Sequence, residues 1–470
     1  MSSITPSPQR RLTRLKNAVV ALTAAVLAVA AMLYAKAETI VLGAEAYVFG
    51  VPLVIMDLTR ANAATALGRE NALLRVRRFP DAQFRDVVRP NVDTLYTSAF
   101  IDMAAGPWVF EMAANDLRYE VMPFMDAWTN VFASPGTRST GKAGGQYLLA
   151  GPGWRGQVPA GMALLSAPTR MVWLIGRTQT NGATDYGTVH KLQDGISLRS
   201  LADFQATAGT ATAVPALRPR ANAATTPPMV QMRLMDVQTF FTRLARLMVD
   251  NPPATADAPM LAKLARLGIA PGQPPTWGSI DRWAVALGRW IAERRIATEL
   301  GKRPTVRGWI TPPNILGAYG TAYNIRAVVA MIGLGANLNA DATYPSASVD
   351  SQGRTLDGSK RYRLHFKRAD LPPVYAFWSI TAYGPDDFFI DNPIKRYALG
   401  DRDPLVFNID GSLDLVIQAM APAENHQANW LPVKAGQTFV LNARLYWPKP
   451  AALDGSWGMP AIERLEGPTP

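Results

Sequence analysis

The sequence has no cysteine and only three histidines in 470 residues. The lack of cysteine excludes disulfide bonds, thiolate catalysis and thiolate metal ligands. His190, His365 and His426 lie far apart and form no H-E-x-x-H pair, so the usual ligands for zinc or iron are missing. The sequence therefore predicts no cofactor and no metal site of this kind. Calcium held by acidic turns such as Asp386-Asp387 stays open, although no twelve-residue calcium loop is present.

Sequence motifs for nucleotide binding and for serine hydrolases are also missing. No P-loop occurs, no G-x-G-x-x-G joins a strand to a helix, and no G-x-S-x-G is found. The formal net charge is +12, but five basic residues and no acidic residue lie in the first 37 positions. The remaining basic excess is modest and spread along the chain, whereas nucleic-acid binding needs a concentrated basic face. The sequence therefore predicts no nucleic-acid partner.

The amino terminus has the three parts of a secretory signal. Basic residues cluster at 10–16, an apolar stretch covers 18–35, and Ala35-Lys36-Ala37 forms a small-x-small cleavage site. We predict a signal peptide over residues 1–37, cut after Ala37, and a periplasmic or secreted protein. The apolar stretch also approaches the ~20 residues that span a bilayer. An uncleaved inner-membrane anchor is therefore the alternative, and it would be the chain's only contact with a membrane.

Short apolar runs bounded by turn residues dominate both ends of the remaining chain. Over residues 83–177, and again from 361 onward, these runs have the length and spacing of β-strands. The residues between them show helical periodicity. We predict a mainly β protein with a helical middle. Its parts are a β-sandwich domain over 38–190, a helical segment over 191–345 and a second β domain over 346–470.

Four helices are predicted from apolar periodicity. A short one covers residues 44–53, with Pro52 near its end. In the middle of the chain, Asp236 can cap a helix whose apolar stripe runs from Val237 to Met248. The other two helices are predicted over residues 279–300 and 315–334.

Two sets of ordered motifs resemble a known family. The first set is Asn91-Val92-Asp93-Thr94-Leu95-Tyr96, Arg118-Tyr119, Asp126-Ala127-Trp128-Thr129-Asn130, Ser134-Pro135-Gly136-Thr137-Arg138 and Gly176-Arg177-Thr178. The second set is Phe377-Trp378-Ser379, Asp391-Asn392-Pro393, Asn429-Trp430-Leu431-Pro432 and Arg444-Leu445-Tyr446-Trp447-Pro448. They resemble proteins with domain of unknown function 1254 followed by domain of unknown function 1214. The resemblance implies an amino-terminal immunoglobulin-like β-sandwich, a helical middle and a carboxy-terminal jelly-roll-like β domain. It implies no particular reaction, and a fold alone supplies none.

A polar and aromatic cluster in the first β domain is the candidate site. Asp126, Trp128 and Asn130 alternate as they would in a strand, which places a carboxylate, an indole and an amide on one face. Such a face suits a carbohydrate-like ligand, because C–H groups stack on the indole while the polar groups bind hydroxyls. Arginines nearby could clamp an anion. The further predicted ligand-binding residues are Asn91, Arg118, Arg138 and Arg177.

Three interpretations of this cluster stay open. The first is binding of a carbohydrate-like or anionic small ligand. In the second, the chain is a cofactor-free hydrolase or lyase that uses Asp93 or Asp126 as general acid/base and Tyr96 as partner. Arg118 or Arg138 would then stabilise developing negative charge. In the third, these two arginines pair with the two aspartates in a buried network that holds the sandwich together. The residues leave the oligomeric state open, a homo-oligomer included.

Overall fold

The computed structural model describes residues 8–85, 88–115, 118–207, 226–301 and 305–466. Helix accounts for 34% of the structure and strand for 25%, so the architecture is mixed rather than mainly β. The predicted helical middle is confirmed.

The elements are numbered in chain order. Helices α1 to α10 are Pro8–Ala35, Ala37–Leu67, Tyr186–Asp194, Leu201–Ala206, Pro228–Leu234, Val237–Asp250, Ala258–Arg266, Ser279–Gly301, Tyr323–Ile332 and Pro450–Leu453. Strands β1 to β10 are Leu74–Arg75, Thr94–Asp102, Trp108–Met112, Glu120–Val121, Phe124–Asp126, Val131–Ala133, Gly145–Ala150, Ala163–Ser166, Met171–Gln179 and Ile196–Ser200. Strands β11 to β19 are Ala342–Thr343, Ser346–Ala347, Arg361–Phe366, Val374–Tyr383, Ala398–Gly400, Leu413–Gln418, Trp430–Pro432, Val440–Pro448 and Ile462–Leu465.

The central element of the helical unit is α2, which has 31 residues and is buried almost continuously from Ile40 to Leu58. A helix that is apolar on all sides must be covered on all sides. Accordingly, α2 is enclosed by α5 to α9 and by one face of the first sheet. The prediction of a short helix over 44–53 is therefore wrong in length. Pro52 lies inside the helix, which ends only at Gly68 with a φ of +73°.

Two sheets form the amino-terminal β unit. One has the strand order β1-β2-β9-β5-β6, with β4 also paired to β9, and the other has the order β10-β3-β7-β8. Their facing side chains share one apolar core, for example Ile101 and Leu174 from the first sheet with Phe110 and Leu149 from the second. The opposite face of the first sheet packs on the helices. Because β10 pairs with β3, this unit extends past the expected boundary at residue 190.

Two further sheets form the carboxy-terminal β unit. One has the order β11-β18-β14-β15, with β12 also paired to β18, and the other has the order β17-β16-β13-β19. Ile380 and Leu441 of the first sheet pack against Leu364 and Leu415 of the second in a common core. The strand β11 begins at Ala342, four residues before the boundary expected at 346.

The structure confirms two of the three helices predicted for the middle of the chain. Asp236 caps α6, since its carboxylate accepts a 2.9 Å hydrogen bond from the Thr239 backbone N–H. The helix predicted over 279–300 is α8. The third, predicted over 315–334, is helical only as α9. Gly317 and Gly320 have φ values of +72° and +53°, which a right-handed helix does not contain, so residues before α9 form turns.

Two of the described helices are long and apolar enough to cross a membrane. The segment Lys16–Ala35 of α1 has 20 residues and none of it is buried against the rest of the chain. The helix α2 also has the length and hydropathy of a membrane span, but it is mostly buried as the core helix of the folded unit. Burial, and not length or composition, thus distinguishes α1 as the apolar helix without a covering layer.

Candidate functional site

The segment from Asp126 to Asn130 is a tight turn and not a strand, so the prediction that Asp126, Trp128 and Asn130 share one strand face is wrong. The strand β5 ends at Asp126, whose carboxylate Oδ1 accepts the backbone N–H groups of Trp128 at 2.9 Å and Asn130 at 2.8 Å. Thr129 has a φ of +72°. Aspartate commonly caps a turn in this way. The alternation in the sequence therefore comes from a capped turn.

The side chains of this turn contribute to the interior between the first sheet and the helices. The Trp128 ring lies 4.7 Å from the Phe49 ring, and the buried Arg326 guanidinium stands 5.4 Å from the Trp128 ring. Burial raises the pKa of Asp126 to about 6, against the hydrogen bonds from Asn130, which lower it. The indole is thus used in packing, and its N–H donates to the Asn251 carbonyl at 3.2 Å.

Asp93 lies where the two β units meet. Its Oδ2 accepts a 2.7 Å hydrogen bond from the Ser379 hydroxyl, and its Oδ1 pairs with the Arg402 guanidinium. Asn91 holds the local backbone, because its side-chain oxygen accepts the N–H groups of Asp93 and Thr94, both at 2.9 Å. The carboxylate is 1% exposed and is bound from the carboxy-terminal unit on both oxygens.

Arg118 and Arg138 do not pair with Asp93 and Asp126, so that part of the network hypothesis is wrong. Arg118 pairs with Asp185. Arg138 donates to Asp341 at 2.5 Å. Both arginines therefore bind carboxylates that are distant in sequence, and the 126–130 turn supplies its own donors to Asp126.

Arg177 is a buried cation whose hydrogen-bond acceptors are all neutral. It donates to the Asn337 side-chain oxygen at 2.6 Å, to the Gly335 carbonyl at 2.7 Å and to the Ile175 carbonyl at 3.0 Å. Its guanidinium lies 5.1 Å from the Tyr96 ring, a distance typical of a cation–π contact. The positive charge of Arg177 therefore lies at the end of the first sheet, and no carboxylate accepts its hydrogen bonds.

Arg444 is a second buried cation with neutral acceptors, and sequence analysis missed it. It donates to the Thr381 hydroxyl at 2.7 Å, to the Tyr383 hydroxyl at 2.5 Å and to the Arg89 carbonyl at 3.0 Å. The alternation of core-facing residues along β18 could have indicated the orientation of Arg444 from the sequence. Residues such as Leu445 face the core of the carboxy-terminal unit, so Arg444 faces the amino-terminal one.

Three tyrosines surround the two guanidiniums. Tyr96 is half-buried, and its hydroxyl accepts a 2.7 Å hydrogen bond from the Asn91 side-chain amide. Tyr344 is half-buried, and its hydroxyl accepts a 2.7 Å hydrogen bond from the Asn337 amide. Burial, with Tyr344 and Asp93 adding to it, raises the pKa of Tyr446 well above its ordinary value. Burial raises the pKa of Tyr344 too, so Tyr344 and Tyr446 keep their protons and are able to donate.

The two arginines, the three tyrosines and the residues bonded to them form what we call the junction cluster. It joins both β units with the segment that precedes β11. The Tyr446 side chain is only 1% exposed, and its hydroxyl makes no hydrogen bond to another residue of the described part of the chain. Burial raises the pKa of Tyr344, against the charges of Arg177 and Arg444, which lower it. The members are Asp93, Tyr96, Arg177, Asn337, Tyr344, Arg402, Arg444 and Tyr446.

Positive charge exceeds negative charge in the junction cluster. Its named members include three arginines and one aspartate, Asp93, which is bonded to Arg402. Asp401 lies 3.9 Å from Arg402; burial raises the pKa of Asp401 to about 6, so this carboxyl adds negative charge beside Arg402 above that pH. Within the described ranges, no group of three or more histidine, aspartate or glutamate side chains could hold a metal ion.

Two family models match the chain in the order that the motifs indicate. Domain of unknown function 1254 matches residues 70–200, and domain of unknown function 1214 matches residues 341–450. The chain belongs to the family that carries these two domains in succession. Tyr96 and Arg177 lie in the first matched region, whereas Arg444 and Tyr446 lie in the second. The junction cluster is thus built from both domains.

One solved structure shares this fold. The VPA0106 protein from Vibrio parahaemolyticus is 23% identical, with a TM-score of 0.68 over 91% of this chain and 100% of that one. An uncharacterised protein from Burkholderia cenocepacia is 10% identical, with a TM-score of 0.45 over 93% of this chain and 96% of that one. No curated protein matches the chain. The first similarity shows a shared fold.

Proposed function

We propose that the chain binds a small organic anion, such as a sugar acid or another carboxylate, at the junction cluster. The observation that carries this proposal is the burial of Arg177 and Arg444 among neutral acceptors only. Both side chains are deeply buried, with 6% and 4% of their residue surfaces exposed. A buried charge is costly unless an opposite charge pairs with it. A bound carboxylate would supply that charge.

The groups around the two arginines suit a carboxylate that carries hydroxyls. Guanidinium groups bind carboxylates in a planar, two-point geometry. The Tyr446 hydroxyl is a further donor, since no hydrogen bond engages it within the described chain. Tyr96 and Tyr344 offer aromatic faces for C–H groups, and both keep part of their surface exposed. This combination favours a sugar-like acid over a simple inorganic ion.

The alternative of a cofactor-free hydrolase or lyase has less support from the contacts. A general base must reach its substrate with a free lone pair. Asp93 is bonded on one oxygen by Ser379 and on the other by Arg402. Asp126 is occupied by the backbone of its own turn. Both carboxylates serve the fold, which supports binding rather than acid–base chemistry.

We also propose the setting in which this binding occurs. The basic residues at 10–16, followed by an apolar helix, are typical of a protein exported from the cytoplasm. The folded part would therefore lie in the periplasm or outside the cell. The face-to-face packing of the amino-terminal sheets supports an immunoglobulin-like sandwich, and that of the carboxy-terminal sheets supports a jelly-roll-like domain.

The proposal is tested by titrating the full-length chain, in detergent, with a panel of sugar acids, small mono- and dicarboxylates and their neutral analogues. Thermal unfolding and calorimetry would be measured for each compound. A ligand at ~100 times its dissociation constant adds ~2.7 kcal/mol to the free energy of unfolding. We expect an acid to raise the midpoint of unfolding while its neutral analogue does not.

The variant Tyr446→Phe removes one hydroxyl and leaves the ring that packs 4.3 Å from Phe377. We expect it to weaken binding by about tenfold, the loss typical of a hydrogen bond to a charged group. The matched control is Tyr375→Phe, at a tyrosine that is 58% exposed. If no anion binds, or if a bound anion is held equally well by Tyr446→Phe, the proposal is wrong.

A further inference from the structure

The helix α1 joins the folded body without a linker. The Lys36 backbone N–H donates to the Met32 carbonyl at 3.0 Å, and the Ile40 N–H donates to the Lys36 carbonyl at 2.9 Å. Hydrogen bonds of helical spacing therefore run across the point where α1 ends and α2 begins. The 20-residue, predominantly apolar segment Lys16–Ala35, none of which is buried, leads directly into the core helix.

The start of α8 is fixed beside this point. The Lys36 ammonium group lies 2.6 Å from the Asp281 carboxylate, which is in the first turn of α8. Ile280 is 55% exposed and Trp283 is 38% exposed. Two large apolar side chains therefore stand at the base of the exposed apolar helix.

The packing of α8 on α2 keeps this arrangement rigid. A Cβ atom at Gly288 would stand 2.3 Å from the Ile40 carbonyl oxygen, so the two helix backbones are in direct contact there. Further along, the Tyr47 hydroxyl donates to Glu293 at 2.7 Å. The two helices thus run in the same direction, and the first turn of α8 stays at the α1 end of α2.

Basic side chains lie around the same point. Lys263 pairs with Glu45 at 2.8 Å, and Arg266 pairs with Glu38. Because Glu38 is in the first turn of α2, the end of α7 lies next to α1 as well. Arg282 is exposed on the first turns of α8. Lysine and arginine near a membrane surface are attracted by anionic lipids.

We propose that α1 remains attached as a membrane anchor and that Ile280 and Trp283 insert into the interface of the same bilayer. A predominantly apolar helical segment of 20 residues suffices to cross the hydrocarbon layer. The basic residues at 10–16 place the amino terminus on the cytoplasmic side, so the body rests on the outer face. Tryptophan is the residue preferred at this depth. The partner of this surface is a phospholipid bilayer, and the inference is independent of the anion site.

The test uses the absence of cysteine, since an introduced thiol is then the only site for a label. The full-length variant Ile280→Cys would carry a nitroxide and be reconstituted into vesicles that contain anionic phospholipid. Its collision rates with oxygen and with a water-soluble nickel chelate would be compared. The matched control is Ile409→Cys, at an isoleucine that is fully exposed in the loop before β16.

We expect a several-fold higher oxygen-to-nickel ratio at position 280 than at position 409. An equal, water-like ratio at both positions would overturn the insertion of this surface. The anchor is tested separately by the mass of the protein isolated from the membrane fraction of cells that express it. A mass that includes residues 1–37 supports retention of α1, whereas a protein that begins at Glu38 would overturn it.

Discussion

The Ser379 hydroxyl donates a 2.7 Å hydrogen bond to the Asp93 carboxylate, although 286 positions separate the two residues. Arg402 binds the other carboxylate oxygen and also donates to the Asp93 backbone carbonyl at 3.2 Å. One buried carboxylate of the first domain is therefore held by two side chains of the second. This contact ties the two β units at the edge of the junction cluster.

Removal of this carboxylate is expected to destabilise the fold. In Asp93→Ala the Arg402 charge and the Ser379 hydroxyl lose their shared acceptor in a buried place. Breaking a buried ion pair in this way costs about 3–5 kcal/mol. The free energy of unfolding, measured with urea, should fall by that amount.

A second ion pair between the same two units provides the matched control. Arg89 lies 2.9 Å from Asp387, and both side chains are more than a third exposed. Exposed pairs contribute at most about 1 kcal/mol. Asp387→Asn removes this charge, and asparagine tolerates the φ of +62° at position 387, so this variant should be nearly neutral. An equal loss of unfolding free energy in the two variants would show that the buried ion pair of Asp93 contributes no more to stability than the exposed pair.

The stability of the chain is expected to fall as the pH rises toward neutrality, because of Glu120. Burial raises the pKa of Glu120 from 4.5 to about 7, against the 2.7 Å hydrogen bond from the Asn115 amide. The folded protein thus holds this proton more tightly than the unfolded chain does. The stabilisation is complete below pH 4.5 and is lost as the pH approaches 7, a change of about 3 kcal/mol.

Glu120→Gln keeps the shape and removes the titrating proton. We expect its free energy of unfolding to lose this part of the pH dependence and to exceed that of the parent chain at pH 8. Unfolding would be measured between pH 4 and pH 8. The control is Glu424→Gln at an exposed glutamate, which should leave the pH profile unchanged. A Glu120→Gln profile that matches the parent would contradict the assignment.

The helical middle could be predicted from the sequence because its signals are local. The apolar stripe of α6 and its Asp236 cap lie within one segment, and both are confirmed. The length of α2 could not be found in this way. A helix that is covered on every side shows no apolar stripe, and Pro52 resembles a terminator. Only the surrounding helices and the first sheet explain why the helix continues.

Only part of the candidate site could be predicted from the sequence, because its residues lie far apart along the chain. Asn91, Asp93, Tyr96 and Arg177 do meet, because β2 and β9 are neighbouring strands. The residues that complete the cluster come from the second domain, and no local pattern connects Arg444 with them. The Asp126 turn resembles a strand in the sequence because a capped turn and a strand place polar residues at the same spacing.

Calcium is expected to leave the thermal midpoint unchanged. Three acidic residues in turns of the carboxy-terminal unit already have partners. Asp387 pairs with Arg89, Asp401 accepts the Trp378 N–H at 3.2 Å, and Asp403 accepts the Gly400 N–H at 2.7 Å. Calcium binds six to eight oxygen ligands, which these carboxylates do not converge to supply. A saturable rise in midpoint with calcium, and none with magnesium, would refute this expectation.

The contact between α2 and α8 is expected to tolerate no side chain at Gly288. A methyl group there would stand 2.3 Å from the Ile40 carbonyl oxygen and 2.8 Å from the Ala44 nitrogen. Both are backbone atoms, which cannot move aside as a side-chain end can. The helix α8 would have to shift, and overpacking of this kind costs about 1–3 kcal/mol. Gly288→Ala should therefore lower the free energy of unfolding in urea by that amount.

Gly278→Ala is the control, because its methyl group would meet open space. Should Gly288→Ala prove as stable as Gly278→Ala, the two helix backbones are not in the close contact that holds Asp281 beside Lys36.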